Sequence, residues 1–331
     1  MRKIYTLANG KRIIIVSFFS GMDLFMFGMT KKYTGMIPGY ANERVFSAAL
    51  LNRANFKHPD GTPVMEPFIE ITEDEYKSRR ASSELQDTVG SIDGLYYRTR
   101  TIEEVNGQKI RADIEARYGP NILIVAIGGP PCQNFTALSS MGRSAKSMPE
   151  DKNARQLTLE YLRVVKQLMP DAAIMEQVTA FSHDRHNAVY SQFIEQLKQL
   201  PYKAAGRDLC SLHYGGNQLR WRYALIMVAD HYNTNPAFPV PDVVNVKRVK
   251  DFLPHVKYFF SGHFTDNVKY GNDFMPVVTG GSPKYFADAK WKKWTPTIDE
   301  LLLCFGVRKG EYIIPEGIPQ HQIRKATGNA V

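Results

Sequence analysis

A single thiol directly follows an apolar, β-rich run of the sequence. Residues 122–127 are too short to span a membrane and rich in β-branched side chains, which favours a buried parallel strand. Two glycines then allow a sharp turn, and Pro130 and Pro131 stiffen the chain up to Cys132. Because ligands of open α/β sheets bind beyond the carboxyl ends of the strands, Cys132 is a candidate nucleophile. The alternative is a buried cysteine in a strand-to-loop turn.

A carboxylate and two guanidinium groups accompany other predicted strands. Glu176 follows the apolar residues 172–175, where a carboxylate in a partly desolvated pocket needs a partner or a task such as proton donation. Arg220 and Arg222 alternate along a predicted strand, so both can face the same cavity. Two buried arginines need an anionic or carbonyl partner, whereas on an exposed edge strand they would only discourage aggregation.

The first predicted βα unit has the form of a nucleotide cradle. Residues 12–19 are predicted as a strand, and Ser20 and Gly21 begin a turn into a helix whose N-terminus favours a nucleotide-like ligand. Glu43 lies 22 positions after Gly21, a spacing at which a carboxylate accepts hydrogen bonds from ribose hydroxyls. Stabilisation of a helix start is the other interpretation of Glu43, and the two roles are compatible.

The composition is that of a globular protein with a basic balance. Of the 331 residues 44% are hydrophobic, and Lys and Arg exceed Asp and Glu by nine, which favours a polyanionic partner. Cys132, Cys210 and Cys304 lack the spacing of a disulfide framework or a zinc site, so we expect no metal. Residues 1–11 are polar and the apolar run 13–19 is short, so we expect a soluble, intracellular protein without a signal peptide or membrane span.

Several of these segments resemble the motifs of one enzyme family. Residues 129–136, Gly-Pro-Pro-Cys-Gln-Asn-Phe-Thr, are similar to the nucleophile motif of the cytosine-C5 DNA methyltransferases, Pro-Cys-Gln-Xaa-Phe-Ser. The other matches follow the family's order along almost the whole chain. They are Phe19-Ser-Gly-Met-Asp23, Asn42-Glu43, Ala112-Asp-Ile114, Glu176-Gln-Val178, Tyr214-Gly215 with Gln218, Arg220 and Arg222, residues 296–306 and residues 326–331.

Three departures from the family pattern affect what we expect. Asp23 stands where the S-adenosylmethionine loop, Phe-Xaa-Gly-Xaa-Gly, has its second glycine, which places a negative charge next to the ligand. Gln177 replaces the asparagine of Glu-Asn-Val, and its longer amide is expected to shift supporting hydrogen bonds more than the reaction. The family's helix after the last motif is missing, so residues 1–11, a partner chain or nothing takes its place in an otherwise monomeric protein.

The resemblance implies a role for each site residue. Cys132, as a thiolate, attacks C6 of a flipped cytosine, Glu176 protonates or hydrogen-bonds N3, and Arg220 and Arg222 orient the base oxygen and a phosphate. The residues implied to bind S-adenosyl-L-methionine are Phe19, Ser20, Gly21, Asp23, Glu43, Asp113, Ile114, Pro130, Asn329 and Val331. The residues implied to contact double-stranded DNA are Gln133, Thr136, Ser139, Arg143 and Gln218.

The implied fold is a doubly wound α/β, Rossmann-like methyltransferase domain with a small inserted target-recognition domain. Residues 1–230 and 296–331 would form the catalytic domain, and residues 231–295, rich in proline and lysine, the recognition domain. Two alternatives stay open. One is a tRNA cytosine-C5 methyltransferase with the same catalytic residues; the other is a catalytically impaired DNA-binding homologue, suggested by Asp23, Gln177 and the short C-terminus.

Overall fold

The computed structural model describes residues 3–4, 10–34, 36–131, 152–183, 188–260, 268–281 and 283–330. These residues group into two compact units. The first unit is built from the described residues within 1–208 and 223–237, and the second from those within 209–222 and 238–330.

The first unit contains eleven strands and seven helices among its described residues. The strands are β1 (Lys3–Ile4), β2 (Arg12–Phe18), β3 (Tyr33–Thr34), β4 (Met36–Asn42), β5 (Ile69–Ile71), β6 (Val89–Ile92), β7 (Leu95–Arg98), β8 (Ile122–Gly128), β9 (Ala172–Gln177), β10 (Tyr202–Cys210) and β11 (Trp221–Ala229). The helices are α1 (Leu24–Lys32), α2 (Phe46–Asn55), α3 (Glu73–Ala81), α4 (Gly107–Tyr118), α5 (Lys152–Leu168), α6 (Ala180–His183) and α7 (Ala188–Leu197).

A six-stranded sheet lies at the centre of this unit, in the order β10-β11-β9-β8-β2-β4. Strands β4, β2, β8 and β9 run parallel, and β11 pairs antiparallel with β9. Three successive residues of β2, Ile14, Ile15 and Val16, are fully buried, as expected for a parallel strand covered on both faces. The predicted α/β class with a mostly parallel sheet is confirmed.

The main core forms where helices pack on this sheet. Helix α4 packs against α5, and α5 packs against α7. The core joins Tyr161 and Val165 of α5 and Phe193 of α7 to Ile124 of β8 and Met175 of β9. Rigid packing of this kind fixes the strand ends from which the candidate site residues extend. In the described parts of the chain, each helix is too short or too polar to cross a bilayer.

A second, three-stranded sheet lies within residues 55–99, a polar stretch of the sequence with mixed charge between Glu70 and Arg80. Its order is β5-β7-β6. The short helix α3 is present and has no buried residue; the Thr72 side chain caps it by accepting from the Glu75 backbone N–H. The three strands were not predicted, because runs of three or four residues such as Ile69–Ile71 carry too little periodicity.

The second unit has its own small core. Its elements are α8 (Val249–Phe252), β12 (Tyr258–Phe260), β13 (Val268–Tyr270), β14 (Tyr285–Ala287), β15 (Lys293–Trp294), α9 (Ile298–Cys304) and α10 (Gln320–Gly328). The strands form an antiparallel sheet in the order β13-β12-β14-β15. Phe259 of β12 and Phe286 of β14 pack with Leu301 and Cys304 of α9.

The two compact units do not follow the boundaries predicted from composition. Residues 209–222 and 296–330, predicted to belong with the catalytic domain, group with residues 238–295. The physical reason is the apolar surface of α9, which is buried in the core of the second unit. The assignment of segments to catalysis or to target recognition stays a prediction.

Candidate functional site

The loop after β2 has a backbone conformation that favours glycine. Phe19, Gly21 and Asp23 have φ angles of 53°, 54° and 55°. The Ser20 backbone N–H donates to Asn42 O at 3.0 Å and Asp23 N–H donates to Ser20 O at 2.6 Å, so the loop is bound to the end of β4 and folded on itself. Position 23, at which the family has its second glycine, therefore requires a left-handed backbone conformation. Aspartate adopts this conformation more readily than most residues other than glycine.

The Asp23 carboxylate is buried and hydrogen-bonded inside the first unit, and Asp23 also lines the cavity at the carboxyl ends of β2 and β8. Asp23 is 3% exposed; its Oδ1 accepts from the Met26 backbone N–H and its Oδ2 from Asn52 Nδ2, both at 3.1 Å. It thus caps the first turn of α1. Burial raises the pKa of Asp23 to about 7, although hydrogen bonds from Met26, Ser17 and Asn52 oppose the increase.

Glu43 connects the tip of β4 to the loop after β2. Its Oε2 accepts from the Gly21 backbone N–H at 2.6 Å, and its Oε1 accepts from the Val45 backbone N–H at 2.7 Å, directly before α2. Burial raises the pKa of Glu43, while these backbone donors lower it. The helix-start role is present in the structure, and each carboxylate oxygen keeps further acceptor capacity for a ribose hydroxyl.

Glu43→Gln is expected to weaken the binding of an adenosyl ligand by about 10- to 100-fold, because charge-assisted hydrogen bonds contribute about 1.5–3 kcal/mol. Isothermal titration calorimetry with S-adenosylmethionine checks this change. Glu70→Gln, on the small sheet of the first unit, is the matched control and should bind normally. Unchanged affinity in Glu43→Gln would assign Glu43 to the helix start alone.

A shallow cavity lies at the carboxyl ends of β2 and β8. It is lined by Ser17, Phe18, Phe19, Ser20, Asp23, Leu24, Phe25, Ile127, Gly128 and Gly129. The Ser20 hydroxyl is buried and has no hydrogen-bond partner among the described residues. The cavity volume is only about 10 Å³, but the chemistry of its lining matches an adenosyl group: apolar side chains suit an aromatic base, and the unsatisfied hydroxyl and the nearby Glu43 carboxylate suit polar ribose and amino acid groups.

Gln177 connects the ends of β8 and β9. Its side chain is fully buried; Nε2 donates to the Pro130 carbonyl oxygen at 3.0 Å, and Oε1 accepts from the Val178 backbone N–H at 3.0 Å. Both ends of its amide position the chain that leads to the predicted nucleophile, which is the supporting role expected for this residue. Pro130 itself is buried. Cys132, Gln133, Thr136, Ser139 and Arg143 lie outside the described residues.

Gln177→Leu is expected to lower the free energy of unfolding by about 1–3 kcal/mol, because the buried Pro130 carbonyl loses its donor. Urea unfolding of the purified protein measures this loss. Gln196→Leu provides the control, since that residue lies on α7, away from the strand ends. Equal stability of Gln177→Leu and wild type would show that the amide bridge is not needed.

Glu176 is the half-buried residue before Gln177 at the end of β9. In the antiparallel register it lies opposite Ala224 of β11. Its position at the carboxyl end of an apolar strand agrees with the one predicted from sequence.

The two arginines at the start of β11 have different environments. Arg220 is 7% exposed, lies before the first residue of β11, and places its guanidinium 5.9 Å from the centre of the Phe305 ring. Arg222 lies on β11 and donates from Nη1 to the Trp221 carbonyl oxygen at 2.7 Å. The predicted strand alternation therefore applies to Arg222 but not to Arg220.

Gln218, for which a substrate contact was predicted, is buried inside the second unit. It is 1% exposed, its Nε2 donates to Cys304 O at 3.2 Å, and its Oε1 accepts from Val278 N–H at 3.0 Å. Both ends of the amide are used inside the second unit, so Gln218 connects α9 to the segment before β14.

Asp113 and Ile114, for which cofactor contacts were predicted, lie in different environments. Both belong to α4; Asp113 is exposed and pairs with Lys109 at 2.7 Å, whereas Ile114 is buried in the core. The adenine contact that the resemblance implies for Asp113 stays a proposal. A segment that does contact β4 lies before α4: the carbonyl oxygen of Arg100 accepts from Asn42 Nδ2 at 3.2 Å. In the sequence, this segment is marked by the capping box of Thr101 and Glu104, a pattern that indicates the start of a helical turn.

The last motif lies partly within the described residues. Asn329 is exposed at the C-terminal end of α10, where its backbone N–H donates to Lys325 O at 3.1 Å. Val331 lies outside the described residues. Within the described ranges, no group of three or more His, Cys, Asp or Glu side chains could hold a metal ion.

Comparison with known proteins finds matches in sequence and fold. The type II methyltransferase M1.HphI of Haemophilus parahaemolyticus is 31% identical over 131 residues, 40% of this chain and 34% of that protein. M.AgeI of Thalassovita gelatinovora is 32% identical over 151 residues, 45% of this chain and 32% of that protein. The matched segments thus span about a third of each relative.

Solved structures resemble the chain over nearly its whole length. The crystal structure of Spodoptera frugiperda DNMT2 has a TM-score of 0.60 and 16% identity, covering 96% of this chain and 95% of that one. At this identity the likeness shows the fold alone. The family model for C-5 cytosine-specific DNA methylase matches residues 79–301, more than half of the chain. The chain therefore belongs to the C-5 cytosine-specific DNA methylase family.

Proposed function

We propose that the protein is an S-adenosylmethionine-dependent DNA cytosine-C5 methyltransferase. The observation that carries the proposal is the pair of hydrogen bonds from Gly21 to Glu43 and from Gln177 to Pro130. Since β2, β4, β8 and β9 are parallel, these bonds bring four loops together at one edge of the sheet. Ligand sites of open α/β sheets lie at this edge.

The first unit would hold the methyl donor. Ser20 and the backbone of Phe19 and Gly21 would surround the adenosyl group, and Glu43 would accept from its ribose. S-adenosylmethionine, when bound, supplies an electrophilic methyl group. Asp23 would act by capping α1 and shaping the loop. The predicted contacts of Asn329 and Val331 stay proposals.

The proposed chemistry uses one nucleophile and one proton donor. The Cys132 thiolate attacks C6 of the flipped cytosine and forms a carbon–sulfur bond, while Glu176 donates a proton or hydrogen bond at N3 so that charge does not build up on the ring. Electron density at C5 would then form the new bond to the methyl group while the bond between this group and the sulfonium sulfur breaks, with S-adenosylhomocysteine as the leaving group. A base removes the C5 proton, the C6–sulfur bond breaks, and the ring and the thiolate are restored.

Arg220 and Arg222 would orient the base oxygen and a neighbouring phosphate, because guanidinium groups bind both through paired hydrogen bonds. We further propose duplex DNA as the substrate, with residues 231–295 supplying target recognition. The net charge of +9 favours this polyanionic partner. The relatives named as type II methyltransferases favour a protective role in restriction-modification inside the cell.

Expression in a host without cytosine methylation, followed by bisulfite sequencing of the host DNA, tests the activity. The expected result is methylated cytosine in one short sequence context. Methylation of tRNA without any in DNA would favour the tRNA enzyme instead. If neither nucleic acid is methylated and calorimetry detects no S-adenosylmethionine binding, the chain is a DNA-binding homologue without activity.

A further inference from the structure

The carboxyl group of Asp23 is enclosed by three elements of the first unit. It accepts from Met26 N–H of α1 and from Asn52 Nδ2 of α2, and Ser17 of β2 also hydrogen-bonds to it. Glu43, at the end of β4, is the charged group that acts on it, and it disfavours ionisation. A buried carboxyl group with one acidic neighbour gains little from ionising unless its hydrogen-bond donors are in place.

Asn52 has an acceptor that is not used. Its side chain is fully buried, and its Oδ1 has no hydrogen-bond partner among the residues that the structure describes. An unsatisfied buried carbonyl is costly, and reversal of the amide exchanges its donor and acceptor without changing its shape. The reversed amide would present Asn52 Oδ1 to the carboxyl group of Asp23. That group can donate a hydrogen bond to Oδ1 only when it is protonated.

We propose that Asp23 and Asn52 form a proton-linked pair that positions the loop between β2 and α1 in two alternative hydrogen-bonding states. With Asp23 ionised, Asn52 Nδ2 donates to the carboxylate. With Asp23 protonated, the amide is reversed and the carboxyl O–H donates to Asn52 Oδ1. The proton is exchanged with solvent, and no covalent bond other than O–H changes.

The pair has a consequence for ligand binding that rests on the proposed function. Burial raises the pKa of Asp23 to about 7, so both states are populated at neutral pH. S-adenosylmethionine carries a positive sulfonium centre, which would favour the ionised state from the cavity that Asp23 helps to line. Ligand binding near neutral pH is therefore expected to release a proton from Asp23 and to be tighter at higher pH.

Titration of the ligand-free protein tests the pair without any methyl donor. Carboxyl carbon NMR of aspartate-labelled protein should show a group with a midpoint near 7 that is missing in Asp23→Asn. Asn52→Leu should raise this midpoint, because the charge-assisted hydrogen bond that the carboxylate loses is stronger than the neutral one that the protonated group loses. An Asp23 midpoint near the ordinary value of 3.8 would overturn the proposal.

Thermal unfolding gives a second readout of the same proton. Since the folded pKa lies above the unfolded one, the folded protein holds an extra proton between these two values, and the melting temperature of wild type should fall relative to that of Asp23→Asn as pH rises from about 4 to about 7. In Asp23→Asn, whose amide can donate to the reversed Asn52, this contribution should be lost. The control Asp74→Asn, on the exposed α3, should behave as wild type. Identical pH profiles of Asp23→Asn and wild type would contradict the pair.

Calorimetry of S-adenosylmethionine binding at pH 7, in two buffers of different protonation enthalpy, tests the linkage to the ligand. Wild type and Asp74→Asn should release up to about half a proton more per site than Asp23→Asn, since a group at its pKa is half protonated. Equal proton release in the three proteins would contradict the linkage. Absence of binding in all three would instead refute the proposed cofactor site and leave the titration of Asp23 to decide the pair.

Discussion

Cys132→Ala is expected to abolish methyl transfer while duplex DNA binding is largely retained. The proposed reaction needs a sulfur nucleophile at C6 to raise the electron density at C5, and an alanine methyl group cannot supply one. Binding depends mainly on phosphate contacts elsewhere, so removal of one thiol should have little effect on it. Incorporation of labelled methyl groups into DNA measures turnover, and an electrophoretic mobility shift measures binding.

The matched control for this prediction is Cys210→Ala. Cys210 is buried at the end of β10 and is a free thiol, but it is not part of the proposed mechanism. Its variant should keep turnover and lose only some stability. Cys304 is less suitable, because its thiol donates to the Glu300 carbonyl oxygen and lies in the core of the second unit. Turnover that persists in Cys132→Ala would refute the assigned nucleophile.

Glu176→Gln is expected to lower the single-turnover rate of methyl transfer by about 10²- to 10⁴-fold, the usual contribution of a positioned general acid. The glutamine keeps the size of the side chain and can still hydrogen-bond, but it cannot donate a carboxyl proton at N3. S-adenosylmethionine binding should change little, since Glu43 and the loop after β2 are unaltered. Rapid-quench measurement of methyl incorporation checks the rate.

A conservative change at an exposed glutamate provides the control for Glu176→Gln. Glu195 lies on α7, is exposed, and pairs with Lys198 at 2.7 Å. Glu195→Gln should therefore retain the wild-type rate. A rate for Glu176→Gln within about threefold of wild type would remove Glu176 from the proton-transfer step, because a lost general acid has a far larger effect.

With the exception of β10, which was not predicted, the strands of the main sheet and the loops at their ends were predictable from the sequence. Runs such as 122–127 carry enough apolar residues to identify a buried parallel strand, and Glu43 follows Gly21 at a spacing set by the βα unit. The structure puts the Glu43 carboxylate in contact with the Gly21 backbone N–H, and the ribose contact that the spacing predicted stays a proposal. These features depend on the local pattern of apolar residues and on short spacings along the chain, and a single sequence contains both.

Other features depend on tertiary contacts and were not predictable. The motif Ala112-Asp-Ile114 matches three residue types, but its place in the middle of α4 puts Asp113 on an exposed helix face. Gln218 looked like a substrate contact, yet its partners are 60 and 86 residues away in the chain. Likewise, only packing shows that α9 is buried in the core of the second unit.

A covalent complex with fluorinated DNA tests the central proposal most directly. In DNA amplified with 5-fluorocytosine, every potential target has fluorine at C5, which cannot leave as a proton does, so the bond between sulfur and C6 should persist after methyl transfer. Incubation with S-adenosylmethionine should give a denaturant-stable protein–DNA complex whose modified peptide contains Cys132. Failure of an enzyme that methylates normal DNA to form this complex, or a complex through another residue, would contradict the mechanism.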